Sequence, residues 1–491
     1  MCFLGLSVFY IKNISFFPIF GLNQHIIKMK LISILYLLLP VFLIAQVKEV
    51  ENEFKGKEYS SVQSIIIPDA GVLVMTAHSS KDKGSFSFST DFTFYGENLE
   101  KKWEKSGVIS NSFTMEEIKE QYDLKPFSEG GKKRIILAFE ESYQISLDGK
   151  HLFIVDQINN GNFYHISLIS GESQLIELDI PSDEKLIQIK CGIDDKSFYM
   201  VRTLESEGET DKMNYDIFTT DLTTLKTVKT NGTTPSNNGT KYGLTTTIRY
   251  WDIIGIGIDG LFLVDNYGLE DKENDKIYRR VLKIAINGEV LIDAYIQISD
   301  KILYDGHIGD FYYNQFGNGR FYTFSMSKKD KNKSLIYCEY DKEFNLIWKE
   351  TVPTEIIPGK GDFSYNIFQK YNSGATLTMF QADTHIHQSI DILGSDKARK
   401  TSLLTKNDHK KFNDDGFYNS GLSFDEYILI SEYPKVMDYV KKLTADYGKK
   451  IKLEFSFRQL NENELIVVAL PKVNGFGKID KAFFRAASFK I

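Results

Sequence analysis

A tight polar turn that opens straight into an apolar, aromatic-rich run recurs along this chain, and a second strand–turn–strand follows before the next copy begins. The clearest copies are ISLDGKHLFIVDQ, ending at Gln157, GIGIDGLFLVDN, ending at Asn266, and FGNGRFYTFS, ending at Ser325. All three turn on Asp-Gly or Asn-Gly. These dipeptides accept the positive φ values of a short hairpin, and the runs after them are rich in β-forming residues. Looser copies turn at Asp69–Gly71, Asp194–Asp195, Ser373–Gly374 and Asp425–Glu426. The second hairpin shows best when FTFYGENLEKKWEK, from Phe92, is set beside YCEYDKEFNLIWKE, from Tyr337. Tyr95 then matches Tyr340, and Trp103 matches Trp348.

Two hairpins make a four-stranded sheet that cannot bury both its faces alone, so repeated copies cover one another by stacking around an axis. The expected fold is all-β, a seven-bladed β-propeller of four-stranded antiparallel blades. Its first hairpins fall near 61–77, 142–156, 186–201, 248–264, 308–325, 364–380 and 417–431. A further turn at Asn461–Asn463 allows eight blades, or else supplies the second hairpin of the seventh with FFRAASFKI as a closing strand. Two insertions read as short helices. In TMEEIKEQYDL, Thr114 stands three residues before Glu117, as in a capping box. In PKVMDYVKKLTADYG, Pro434 suits a first turn, Val436, Val440 and Leu443 share a face, and Gly448 suits the end. Neither can bury a core of its own, so both are expected as lids or packing pieces on the rim.

Residues 47–491 read as a single propeller domain, since no linker-like stretch divides them and all-β folds run long. From Met29 the chain reads MKLISILYLLLPVFLIAQ, the charged start, apolar run and small-residue end of a secretory signal peptide over 29–46. Residues 1–28 then read as a gene-model extension, the alternative being a membrane anchor over 3–45. The apolar run is short for a membrane span. A secreted or periplasmic chain without stable membrane insertion, and monomeric, is the expectation. Cys191 and Cys338 lie in separate strand segments, so neither a disulfide scaffold nor a cysteine zinc cluster is expected. Formal charge is −7, and the leader holds lysines but no acids, so the mature chain is more acidic still. Such a surface argues against nucleic acid and anionic lipid as partners.

Two groups of residues point to chemistry. In QADTHIH, a continuing strand places Asp383, His385 and His387 on one face, the donor set for a divalent metal; no other cofactor is implied. The residues that close the apolar strand in successive copies are polar: Asp156, Arg202, Asp265 and, by extension, His78. With Asp383 these form an expected ring of Asp156, Arg202, Asp265 and Asp383 at one end of the central channel, where a ligand would sit. The sequence holds no Gly-x-Ser-x-Gly elbow, phosphate loop, His-Glu-x-x-His or dinucleotide fingerprint.

Ser146, Asp148, Gly149 and Lys150, followed by HLFIV, resemble the Ser-x-Asp-Gly-Lys turn of TolB-type propeller repeats of bacterial envelope proteins. The resemblance implies a secreted propeller used for binding or assembly, and it carries over no catalytic residue. The expected function is a non-catalytic secreted or periplasmic propeller that binds a protein or glycan partner through one rim. The alternative is a propeller enzyme, a metal-dependent hydrolase or polysaccharide lyase, with its site in the axial funnel.

Overall fold

Seven antiparallel sheets follow one another along the chain among the described residues. The computed structural model describes residues 48–54, 59–114, 143–156, 162–178, 186–204, 212–236, 251–300, 312–353, 363–392, 401–404, 427–471 and 482–490, with short breaks at several turns. Blade 1 is Tyr59–Ile67, Gly71–Asp82, Ser85–Gly96 and Lys101–Thr114. Blade 2 is Tyr143–Ile145, His151–Asp156, Asn162–Ser167 and Ser173–Ile176. Blade 3 is Leu186–Ile193, Ser197–Leu204, Asn214–Asp221 and Thr227–Thr233. Blade 4 is Trp251–Gly257, Gly260–Asp265, Lys276–Ile284 and Val290–Asp300. A short strand, Leu269–Asp271, pairs with the same edge of Lys276–Ile284 as Gly260–Asp265 does, so blade 4 is still four strands wide. Blade 5 is Tyr312–Asn314, Arg320–Lys329, Asn332–Tyr340 and Leu346–Pro353. Blade 6 is Phe363–Gln369, Ala375–Gln381, Ile386–Ile392 and Thr401–Leu404.

Blade 7 joins the two ends of the chain. Leu453–Asn461, Glu464–Pro471 and Phe483–Lys490 are completed by Lys48–Glu53, in register from Lys48 opposite Ser488 to Glu53 opposite Phe483. An edge strand is thereby covered, and the ring is held shut by backbone hydrogen bonds. Side chains reinforce the seal. The Arg485 guanidinium pairs with Glu51 and lies 3.7 Å from Glu49, and the Tyr447 hydroxyl donates to Glu51 at 3.1 Å.

Strand alternation sends successive residues to opposite faces, and each face meets the next blade. Leu73, Met75, Phe92 and Phe94 of blade 1 pack on Leu152, Ile154 and Ile166 of blade 2. Phe153 and Phe163 of blade 2 pack on Phe198 and Met200 of blade 3, and the Phe153 and Phe198 rings stack with centroids 4.3 Å apart. The seams between blades 3 and 4, 4 and 5, and 7 and 1 are built in the same way. At the inner strands the approach is closest. A Cβ on Gly192 of blade 3 would lie 1.8 Å from the Ile256 carbonyl oxygen of blade 4.

A second device fastens the outer edges. In blades 1 to 5 the turn before the outermost strand carries one left-handed residue: Leu99, Gly171, Leu225, Gly288 and Phe344, with φ of 59°, 73°, 55°, 90° and 60°. Leucine and phenylalanine are strained there. The strain is offset by burial, because Leu99 and Phe344 plug the seam to the preceding blade and Leu225 packs into the corresponding cluster. At Gly171 the preceding blade supplies the bulk instead. A Cβ on Gly171 would stand 2.7 Å from the Trp103 ring, and Trp103 Nε1 donates to the Leu168 carbonyl at 2.8 Å.

Six of the seven expected first hairpins coincide with the observed ones. The seventh does not: Tyr427 and Ile430 are helical, and the hairpin of blade 7 is the Asn461–Asn463 turn that sequence offered as an eighth blade or a second hairpin. FFRAASFKI supplies the third strand rather than the closing one, because the N-terminal strand closes the sheet. Helix α1, Pro434–Tyr447, forms as expected. It packs Val436, Tyr439, Val440 and Leu443 on the face of blade 7 opposite blade 1, so it covers a sheet face rather than a rim. The other expected helix lies outside the described residues beyond Thr114, as do residues 1–47, which include the expected signal peptide 29–46. Cys191 and Cys338 lie in different blades, and burial pushes the Cys191 thiol up to about 12.

Candidate functional site

The turns between first and second strands and those between third and fourth strands lie at the same end of an antiparallel blade. At that end of blades 2 to 5 the chain exposes aliphatic side chains in a series. Leu175, Val228, Val290 with Leu291, and Leu346 with Ile347 stand at or near the starts of four successive outermost strands. Ile169 and Ile258 project from turns beside them, 69% and 61% exposed. These are all the large exposed hydrophobics among the described residues, and they fall on one end of one arc. Exposed aliphatics gathered at one end of neighbouring blades are a candidate interaction surface.

The turns that carry the arc are acidic. Asp221 accepts backbone N–H groups from Thr223 and Thr224, and Asp341 from Glu343 and Asn345. In both the carboxyl is held below its usual range. For Asp221 the Thr224 backbone bond dominates; for Asp341 burial opposes the shift and the Asn345 bonds outweigh it. The same physics explains the Ser146–Lys150 turn. Ser146 Oγ donates to Asp148 at 2.6 Å while accepting from the His151 N–H at 2.9 Å, and Gly149 turns at φ 67°.

Two of the residues expected to ring the channel, Arg202 and Asp265, have described side chains. Asp156, Arg202 and Asp265 each stand sixth in the second strand of their blade, so they are true repeat equivalents. Arg202 and Asp265 are both fully buried. By alternation Arg202 faces the seam with blade 2, alongside Phe198 and Met200, and Asp265 faces the seam with blade 3, alongside Leu261 and Leu263. Arg202 Nη1 lies 3.5 Å from Asp216 Oδ2, an oxygen that Lys229 approaches to 3.0 Å, and the Asp265 carbonyl accepts from Arg279. The Asp156 side chain and Asp383 lie outside the described residues. His78 contacts Asp91 across the blade 1 hairpin at 3.3 Å.

Asp383, His385 and the His387 side chain also lie outside the described residues. Ala375–Gln381 and Ile386–Ile392 pair antiparallel, with Gln381 opposite Ile386. Among the described residues no group of three or more His, Cys, Asp or Glu is placed to hold a metal.

One pair of titratable side chains escaped sequence reasoning. His151 Nδ1 and His165 Nε2 face each other at 2.9 Å in the seam of blades 2 and 3. Burial first, and the His151 ring second, lower His165 to about 4, so it is neutral at physiological pH. Their separation in sequence has no motif, because the contact is a diagonal across two strands.

The strand order and ring closure define a β-propeller. No protein-family model matches the chain, and no curated protein sequence matches it. Among solved structures it is similar to the WD40 domain of SCAP from fission yeast at 8% identity, over 90% of this chain and 98% of that one, with a TM-score of 0.27. It is similar to the polysaccharide lyase Uly1 at 8% identity, over 89% and 92%, with a TM-score of 0.36. The Nup133 β-propeller domain of Vanderwaltozyma polyspora matches at 8% identity, over 89% and 100%, with a TM-score of 0.30. These superpositions are loose, and the fold assignment rests on this chain's own sheets.

Proposed function

We propose that this protein is a non-catalytic, exported propeller that docks a partner protein on the aliphatic end of blades 2 to 5. The observation that carries the reading is the series Leu175, Val228, Leu291 and Leu346, exposed on the outermost strands of four neighbouring blades, with Ile169 and Ile258 in turns at the same end. Exposed residues of the set are aliphatic, with no Trp, Tyr or Phe. Glycan surfaces are built on aromatic platforms that stack on sugar rings, so a protein is the better fit. Carboxylates outnumber lysines in the turns around the arc, which favours a partner that presents apolar side chains flanked by basic ones. Export, to the periplasm or beyond, rests on the Met29–Gln46 sequence and on the resemblance of the Ser146–Lys150 turn.

The test is site-specific crosslinking in the native host. A photo-reactive residue at Ile258 is expected to capture one dominant protein, and a second at Glu454, an exposed residue of blade 7, is expected to capture none of it. The capture is lost in Val228→Lys with Leu346→Lys, while thermal stability stays within about 0.5 kcal/mol, since both side chains are already exposed. Equal capture from both positions, or capture that survives the double substitution, would refute the docking surface.

A further inference from the structure

We propose that the protein forms a two-fold dimer in which the outermost strand of blade 4, Val290–Asp300, pairs antiparallel with the same strand of a second copy. A sheet edge offers backbone donors and acceptors to any extended chain, and folds blunt such edges with lysine, other charges, proline or short length. Among the described residues every other outermost strand carries one of these devices. Lys101–Thr114, Thr227–Thr233 and Leu346–Pro353 hold lysines, Ser173–Ile176 and Thr401–Leu404 are four residues long, and Lys48–Glu53 alternates charge along its length. Val290–Asp300 runs for 11 residues with no lysine, arginine, proline or glycine. Its strand partner among the described residues is Lys276–Ile284, on one side only.

The order of residues in this strand makes it complementary to itself. A two-fold axis normal to the sheet keeps each face on its own side, so opposed residues share parity and the axis passes through a residue. Centred on Tyr295, the register sets Tyr295 against its own copy, Asp293 against Gln297 and Ala294 against Ile296. No like charges meet across these pairs, and the small Ala294 leaves room for Ile296. The stretch is regular strand, because its register with Lys276–Ile284 is unbroken from Ile292 to Gln297. It is also fixed before a second copy arrives. Asp293 accepts two bonds of 2.7 Å from the Arg280 guanidinium, which lies over the Tyr295 ring, and the Gln297 carbonyl accepts from the Tyr340 hydroxyl at 3.1 Å. Little freedom is left to lose on pairing. Antiparallel pairing points the aliphatic ends of the two copies in opposite directions, so the dimer does not rest on the docking surface.

Disulfide trapping of the full-length chain reads the register. Tyr295→Cys faces its own copy across the axis, and antiparallel pairs hold their Cα atoms about 4.5–5.5 Å apart, within the reach of a disulfide. Mild oxidation is expected to convert most of this variant to a covalent dimer, whereas Gln297→Cys, which faces Asp293, stays largely uncrosslinked. For the unmodified chain, sedimentation equilibrium is expected to show a reversible dimer. Amide exchange in Ile292–Gln297 slows as protein concentration rises, while Lys101–Thr114 keeps its rate, and this measurement serves if a cysteine variant fails to fold. An unmodified chain that stays monomeric at its highest soluble concentration, absent or equal crosslinking of the two folded variants, or concentration-dependent protection at another blade edge would overturn the proposal.

Discussion

Replacing Gly192 by alanine tests whether neighbouring blades meet through their backbones. The added Cβ would sit 1.8 Å from the Ile256 carbonyl oxygen and 2.9 Å from its carbon. Ordinary contact begins at 3.4 Å, so the inner strand of blade 4 has to retreat by about 1.5 Å. No flexible side chain absorbs the movement. Ile256 is 1% exposed and locked against Tyr199, Val201 and Leu261, so the shift propagates into the seam. Overpacking a core usually costs about 1–3 kcal/mol, and an obstacle made of backbone places this change near 3. Unfolding entropy of about 2 cal/mol/K per residue over some 440 residues converts that to a fall in Tm of about 3 °C. The assay is scanning calorimetry joined to hydrogen exchange, because a domain of this size need not unfold in one step. Exchange should rise first in Leu186–Ile193 and Trp251–Gly257. Unchanged Tm together with unchanged exchange in those two strands would refute the seam as described.

Trp103→Ala should cost about 3 kcal/mol, because it removes the stack on Phe94 and the bond to the Leu168 carbonyl. Gly171→Ala should be tolerated better in that background than in the unmodified protein, with a coupling of at least about 1 kcal/mol in a double-mutant cycle; additive losses would show that the turn does not fit the indole. Burial alone would raise the Asp148 carboxyl, but bonds from Ser146 and Lys150 outweigh it and hold it at about 2. The folded value lies below the unfolded one, so its stabilisation is present above about pH 4 and is lost as pH falls toward 2. Thermal melts of Asp148→Asn should therefore show a shallower acid slope in that window, and a slope parallel to that of the unmodified protein would count against the turn's electrostatics. Arg485→Met should cost about 1–2 kcal/mol and speed exchange in Lys48–Glu53 ahead of the other strands. Protection of that strand equal to the unmodified protein would mean that the backbone ladder alone holds the ring shut.

The match of FTFYGENLEKKWEK to YCEYDKEFNLIWKE survives in detail. Tyr95 and Tyr340 close their third strands, and Leu99 and Phe344 take the same left-handed position one turn later. Such features are legible because turn chemistry and strand alternation act over a few residues. The stretch after Asp425 misleads for the same reason: YILI suits a strand and a helix turn equally, and only the apolar face of blade 7 decides for the helix. KEVENE gives no sign of its partner, since it is polar at every position but Val50 and pairs through its backbone with residues more than 400 positions away. Among site residues, the repeat equivalence of Arg202 and Asp265 was legible in the sequence, since each stands sixth in the second strand of its blade.

Period, turn type and alternation are local, so the amino-acid order alone settled that this chain builds repeated four-stranded antiparallel sheets and that they must cover one another. Which strand closes the ring, which face α1 covers, how the two histidines meet and where the exposed aliphatics line up were decided only when the blades stacked. Those relations join residues that share no neighbourhood along the chain, and the energy that fixes them, burial of one sheet face against another, exists only once both sheets are present.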